Sequence, residues 1–213
     1  MPLSLKIDCD KEIELAIWKI AESSEYFLDK LCIHHPEKLI ISKLSSRKLL
    51  EWLSSRYLLH LMSGRVQRGV FTKDIHGKPH LEDSSFHISI SHSRDLITVI
   101  ASEHLVGIDI QYFVSKIHRI KHKFINELEL ANISEDKTLE ALHIIWGAKE
   151  SLYKAYGKRA LDFKKNIHIR DLKLNANKGE FHGQIIKGDY QKQFKINYIL
   201  FEKFTIVYAK EHL

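Results

Sequence analysis

Three short segments of this sequence place side chains where their types and spacing could do chemistry. In VGIDIQ, Asp109 and Gln111 stand two residues apart, which on a β-strand puts both side chains on one face. Asp109 lies between Ile108 and Ile110, where a carboxylate is costly unless a cation or several donors meet it. The plainer alternative is an aspartate that starts a loop and caps the next turn. In IIWGAKESLYKAY, at 144–156, Glu150 and Lys154 are four apart. That is the favourable order for an exposed helix pair contributing about 0.3 kcal/mol. Against the exposed pair, Trp146, Leu152 and Tyr153 place this turn beside a core. An acid with two lysines, Lys149 and Lys154, partly shielded from water, is what a magnesium-bound diphosphate requires. Magnesium takes one or two carboxylates together with phosphate oxygens, and lysines act on the remaining oxygens as point charges. In SISHSRD, at 89–95, His92 lies between Ser91 and Ser93. Hydroxyls and an imidazole at a strand end can donate to phosphate oxygens, although a polar turn has the same composition.

The elements that must carry these groups follow from periodicity. Residues 10–31 and 44–62 carry apolar residues at helical spacing, including Leu49, Leu50, Leu53, Leu58 and Leu61. Turn chemistry follows in SGRVQRG and KDIHGKP. Apolar β-rich runs at 86–91, 96–102 and from 105 predict strands, with Glu103 and His104 as the turn of an antiparallel hairpin over 96–111. The second half predicts helices at 124–133 and 136–157, then strands near 166–175, 180–187, 193–200 and 204–210. Helices followed by strands, twice, imply an α+β fold of two subdomains, each of a size typical for a small domain. No repeat is visible residue by residue.

Composition sets outer bounds. The chain has 213 residues, 44% apolar and 28% charged, which suits a packed core and excludes disorder. No apolar run approaches the roughly 20 residues of a membrane span. The first fifteen residues, MPLSLKIDCDKEIEL, are broken by charge and do not read as a signal peptide. Cys9 and Cys32 are the only cysteines, so neither a disulfide framework nor a cysteine zinc site is supported. A reduced, cytoplasmic protein is expected. The net charge of +6 favours acidic partners such as nucleic acid, phosphorylated metabolites or acidic proteins without choosing among them. The 14 histidines form no HExxH or similar metal spacing. A basic nucleic-acid-binding protein has the charge in its favour, but no helix-turn-helix, zinc-finger or ribonucleoprotein signature is present.

Taken together, GID-x-[EQ], then W-x-x-KES-x-x-K some forty residues later, with SHS upstream, resemble the 4′-phosphopantetheinyl transferases of the larger, single-chain pseudo-dimeric type. GKPHL at 77–81 and SSRKLLEWLSSRYLL at 45–59 are similar to that family's segments before the SHS strand. The resemblance covers roughly residues 40–160, and the last fifty match only in being strand-rich.

The resemblance implies transfer of the phosphopantetheine arm of coenzyme A to a serine of an acyl or peptidyl carrier protein, releasing adenosine 3′,5′-bisphosphate. Carried over, Asp109, Gln111 and Glu150 would hold Mg2+, and Glu150 and Lys154 would be catalytic, with Glu150 taking the serine proton. Arg47, Lys78, Ser91, His92 and Lys149 would bind coenzyme A, and Arg56 is a lesser candidate for the nucleotide end or a structural ion pair. Residues 1–105 would bind the nucleotide end, and 106–213 would carry the metal and the catalytic helix. Many relatives have Glu where this chain has Gln111, so the site would hold two carboxylates rather than three. A catalytically weak coenzyme A or carrier-binding member is the alternative. The basic run KIHRIKHK, at 116–123, reads either as a solvated face or as a docking surface for an acidic carrier protein. Neither nucleic acid nor membrane is an expected partner, and a monomer suffices to complete a pseudo-dimeric site.

Overall fold

The computed structural model describes residues 4–7, 11–131, 133, 137–174 and 176–212; Cys9 lies outside them. Two antiparallel sheets form, one from each half of the chain. The first contains β1 (Ser4–Ile7), β2 (Glu14–Lys19), β5 (His87–Ser93) and β6 (Leu96–Ser102) in the order β1-β2-β6-β5. The second contains β7 (Val106–Tyr112), β8 (Ile167–Arg170), β9 (Lys178–Lys187), β10 (Tyr190–Leu200) and β11 (Phe204–Glu211) in the order β7-β11-β10-β9-β8. A small hairpin of β3 (Phe71–Lys73) and β4 (Pro79–Leu81) stands apart from both. The fold is α+β with two sheet-containing subdomains.

Each sheet packs on one long helix. In the first subdomain α1 (Ser24–Lys30) and α2 (His35–Ile41) precede α3 (Ser46–Ser63). Leu53, Leu58 and Leu59 of α3 share a core with Ile97 and Val99 of β6, whereas Leu61 is exposed. In the second, α4 (Ile117–Ile120), a 3-10 turn (Lys121–Lys123) and α5 (Glu127–Ala131) lead to α6 (Thr138–Tyr156). Leu142, Ile145 and Leu152 of α6 pack on Phe181, Ile196 and Val207.

Two sequence expectations fail for the same reason. The segment expected as a helix over 10–31 contains a strand, β2, before the short α1. The expected hairpin over 96–111 does not form: β6 pairs with β2 and β5, and β7 pairs with β11. Residues 103–105 are therefore the passage from one sheet to the other. A short gap between two apolar runs suggests a hairpin, but long-range partners with better-matched faces take both strands.

The two halves meet through a third core. Val106, Ile108 and Ile110 of β7 pack with Leu15 and Ile17 of β2, Ile100 of β6 and Ile206 of β11. Strand alternation then turns Gly107, Asp109 and Gln111 the other way, toward α6. Beside this core, one face of β5 meets the edge of β7. Ser89, Ser91 and Ser93 accept hydrogen bonds from the backbone N–H groups of Ile108, Ile110 and Tyr112 at 3.2, 3.3 and 3.2 Å. Serine hydroxyls here stand in for strand pairing, satisfying buried amides that would otherwise be orphaned.

Candidate functional site

β7 and α6 approach unusually closely, and the sequence permits it at one residue. A Cβ on Gly107 would lie 1.8 Å from the Ser151 carbonyl oxygen. With Gly107 flush against α6, Asp109 and Gln111 lie beside His143, Gly147, Glu150 and Lys154, which follow the three-to-four spacing of one helical stripe. Ser151 Oγ donates to the Val207 carbonyl at 2.8 Å and ties the helix to β11 as well.

Asp109 is buried and heavily solvated by protein. Its Oδ1 accepts from Ser91 Oγ at 2.8 Å and from Lys154 Nζ at 2.8 Å, and its Oδ2 accepts from Gln111 Nε2. Lys154 also donates to Ser91 Oγ at 2.9 Å and to the Ile108 carbonyl at 2.8 Å, so its three N–H groups are all engaged. Glu150 is half-buried, and its carboxyl is raised to about 7, by burial first and by the Asp109 carboxylate second, with Lys154 opposing. The charge of the strand acid is thus felt by the helical acid.

The residues present fit a magnesium ion. Two carboxylates that repel one another are what a hard divalent cation relieves. Among the described residues no group of three or more His, Cys, Asp or Glu side chains is placed to hold a metal. The remaining ligands would come from water and phosphate oxygens, the usual pattern for magnesium at a diphosphate.

Beside the two acids opens a cleft of about 480 Å³ between α3, the β3–β4 hairpin, β5 and the C-terminal end of α6. Lys48, Lys73, Lys78, Lys158 and Arg159 line it with Lys154, against the single carboxylate of Glu51. Such an excess of cations suits a ligand with several phosphates. His92 projects from β5 on the face opposite the serines and lines the cleft, with Nδ1 3.5 Å from Glu51. Lys78 lines it too, and its Nζ donates to the Ala155 carbonyl at 2.7 Å near the end of α6. Burial lowers its pKa, with Asp74 opposing. Gly157 ends α6 at φ 72°, and a side chain there would collide with Lys78.

Four assignments change. Lys149 does not face the cleft: it is fully buried, and its ammonium is held by Glu129 Oε2 at 2.8 Å and by the Phe163 and Ile167 carbonyls at 2.8 and 3.2 Å. Being adjacent to Glu150, it is rotated about 100° around the helix, into the core. Ser91 is buried and spends its hydroxyl on Asp109, Ile110 and Lys154 rather than on a phosphate. Arg47 is exposed and pairs with Glu51 at 3.0 Å, outside the cleft lining; its neighbour Lys48 lines it instead. Gln111 turns its amide nitrogen, not its oxygen, toward Asp109. Arg56, held open between the nucleotide end and an ion pair, stacks its guanidinium 3.8 Å over Trp52 and lines the cleft. Sequence reasoning passed over Lys73, Lys158 and Arg159; the last two follow the Gly157 cap, where basic residues complement a helix C-terminus.

Residues 105–209 match the family profile of the 4′-phosphopantetheinyl transferase superfamily. That segment, from β7 to β11, carries the superfamily's sequence pattern. It is also 33% identical over 111 residues to the 4′-phosphopantetheinyl transferase gsp of Aneurinibacillus migulanus, an alignment covering 51% of this chain and 46% of that protein. The chain thus matches about half the length of this curated relative. The superfamily segment includes β7 and α6, and with them Asp109, Gln111, Glu150 and Lys154. Arg47, Lys78, Ser91 and His92 precede it. No helix among the described residues is long and apolar enough to cross a membrane.

Proposed function

We propose that this protein transfers the 4′-phosphopantetheine arm of coenzyme A to a serine of an apo acyl or peptidyl carrier protein, with Mg2+ at Asp109 and Glu150. The observation that carries this reading is the mutually repelling pair of carboxylates beside a cation-lined cleft of about 480 Å³. The cleft has the size and charge for a nucleotide with several phosphates.

The roles follow from position. Lys48, Lys73, Lys78, Lys158 and Arg159 meet the phosphates of the nucleotide end, and His92 contacts a phosphate or a neighbouring ligand atom. Lys154 and Ser91 hold Asp109 in place, which makes Lys154 a neutralising charge at the site edge rather than a free phosphate hook. The bound cation supplies charge neutralisation at the diphosphate. The carrier serine oxygen forms a bond to the phosphorus bearing the pantetheine, the bond from that phosphorus to the bridging oxygen breaks, and the bisphosphate departs with the electron pair. Glu150 takes the serine proton, directly or through water, as the half-buried carboxylate next to the cleft-lining Lys154 stripe of α6.

Incubation with coenzyme A, Mg2+ and apo-carriers of fatty-acid, polyketide and peptide-synthetase types tests this by mass spectrometry. A carrier gaining one arm is the expected result, and no gain on any carrier class overturns the reading. A second reading, a coenzyme A or carrier-binding protein without transfer, draws support from Gln111, which brings no charge where many relatives bring a third carboxylate. Calorimetric binding of coenzyme A without arm transfer would select it.

A further inference from the structure

His143 lies on α6 at the end of the stripe that carries Glu150 and Lys154, and its ring is 1% exposed. It stands edge-on to Phe113, with ring centroids 5.3 Å apart. Its Nε2 lies 3.0 Å from the backbone nitrogen of Val114 and 3.3 Å from that residue's carbonyl oxygen. Its Nδ1 lies 3.1 Å from Gln111 Oε1, and Gln111 Nε2 in turn bonds Asp109 Oδ2. Two residues, His143 and Gln111, therefore connect the backbone at Val114 to the candidate metal carboxylate.

A neutral imidazole allows two proton placements along this chain. In one, the Val114 N–H donates to Nε2, the Nδ1–H donates to the Gln111 carbonyl, and the amide N–H donates to Asp109. Every link then joins a donor to an acceptor. In the other, Nε2–H donates to the Val114 carbonyl over the longer distance and points at the Val114 N–H. Nδ1 then becomes an acceptor and calls for the Gln111 amide nitrogen, which turns Oε1 onto the Asp109 carboxylate, oxygen against oxygen. That exchange forfeits a hydrogen bond to a charged group, which typically contributes about 1.5–3 kcal/mol. The first arrangement wins. Burial lowers the pKa of His143, the direction that suits a neutral ring.

We propose that His143 is a positioning residue for the metal site: its Nδ1–H fixes the Gln111 amide with nitrogen toward Asp109, so that Gln111 orients the metal-binding carboxylate instead of ligating the metal. This rests on the reading of Asp109 as a cation ligand given under Proposed function. It also accounts for the carboxylate's free capacity. Of about four lone-pair sites on a carboxylate, Ser91 and Lys154 fill those of Oδ1 and Gln111 takes one on Oδ2. One remains for a cation, so Asp109 binds through a single oxygen.

The tautomer is read directly on the intact wild-type protein by long-range nitrogen–proton NMR of the imidazole. The Nδ1–H form is expected without ligand and with Mg2+ and coenzyme A; the Nε2–H form in either state overturns the proposal. Mn2+ affinity in the presence of coenzyme A, followed by electron paramagnetic resonance, gives the second readout. His143→Phe and Gln111→Ala are each expected to weaken it roughly tenfold, the usual effect of removing a residue that orients a ligand. The double variant is expected to be no weaker than either single one. An additive loss would mark His143 as acting through general packing and overturn the proposal. Should His143→Phe not fold, the tautomer and the Gln111→Ala titration decide without it. Wild-type protein that binds no Mn2+ overturns both this proposal and the metal reading beneath it. Mn2+ binding without arm transfer overturns only the transferase activity.

Discussion

Glu150 makes the stability of the protein depend on pH. Its carboxyl rises from 4.5 to about 7 in the metal-free protein, so the folded state holds a proton that the unfolded chain has released. Below about 4.5 both states are protonated and the group contributes nothing. Stability then falls as pH rises through the interval to 7, after which the full penalty persists. Glu150→Gln is therefore expected to stabilise the metal-free protein at pH 8 by on the order of 2 kcal/mol, with no gain at pH 4. Thermal denaturation at the two pH values checks this, and equal shifts at both would count against it. The same variant at saturating Mg2+ should lose most of its turnover if Glu150 takes the serine proton; near-normal turnover removes that role. Lys149 makes the opposite case. Lys149→Ala leaves Glu129 buried without its cation and is expected to cost about 3–5 kcal/mol of folding stability. Chemical denaturation reads this, and a variant of normal stability with weakened coenzyme A binding would return Lys149 to the phosphates. KES-x-x-K carries both lysines, Lys149 and Lys154, but both faces of α6 are largely buried, so the motif alone could not tell the site lysine from the core lysine. Glu129, the partner that decides it, lies twenty residues away.

At the level of elements, the site depends on how near β7 and α6 can come. Gly107→Ala places a methyl 1.8 Å from the Ser151 carbonyl, and backbone cannot yield as a side chain does. We expect a loss of about 3 kcal/mol in urea denaturation, with Mn2+ affinity falling because Asp109 moves away from Glu150. An unperturbed variant would mean the two elements are not held so close. GID was legible as a strand with an acid on one face, and the long α6 was legible from its apolar periodicity. What could not be read was pairing. LITVIAS and LVGIDIQ look like neighbours, yet each is claimed by a strand distant in the chain, and one of these, β2, has apolar residues that also fit a helix. The serines of SISHS read equally well as a polar turn or a phosphate grip. Their alternation, with Ser89, Ser91 and Ser93 on one face and His92 on the other, acquires meaning only once the edge of β7 is known to lie beneath them.

Over the whole molecule, charge separates two surfaces. The cleft gathers one set of cations, while Lys116, Arg119 and Lys123 are exposed on the segment just after β7. If that segment docks an acidic carrier protein, Arg119→Glu with Lys123→Glu should raise the Michaelis constant for carrier roughly tenfold at low salt and leave that for coenzyme A unchanged. Equal changes in both would count against docking there. The two subdomains, for their part, are joined by more than chain connectivity. Leu15, Ile17, Ile100, Ile108 and Ile206 bury one another across the seam, and three hydroxyls occupy amides that neither half can satisfy alone. The peptide link at 103–105 is thus mechanically redundant: fragments 1–103 and 104–213, produced together, should find one another and copurify as a tight non-covalent pair, whereas either fragment produced alone would present a greasy, amide-studded flank and aggregate.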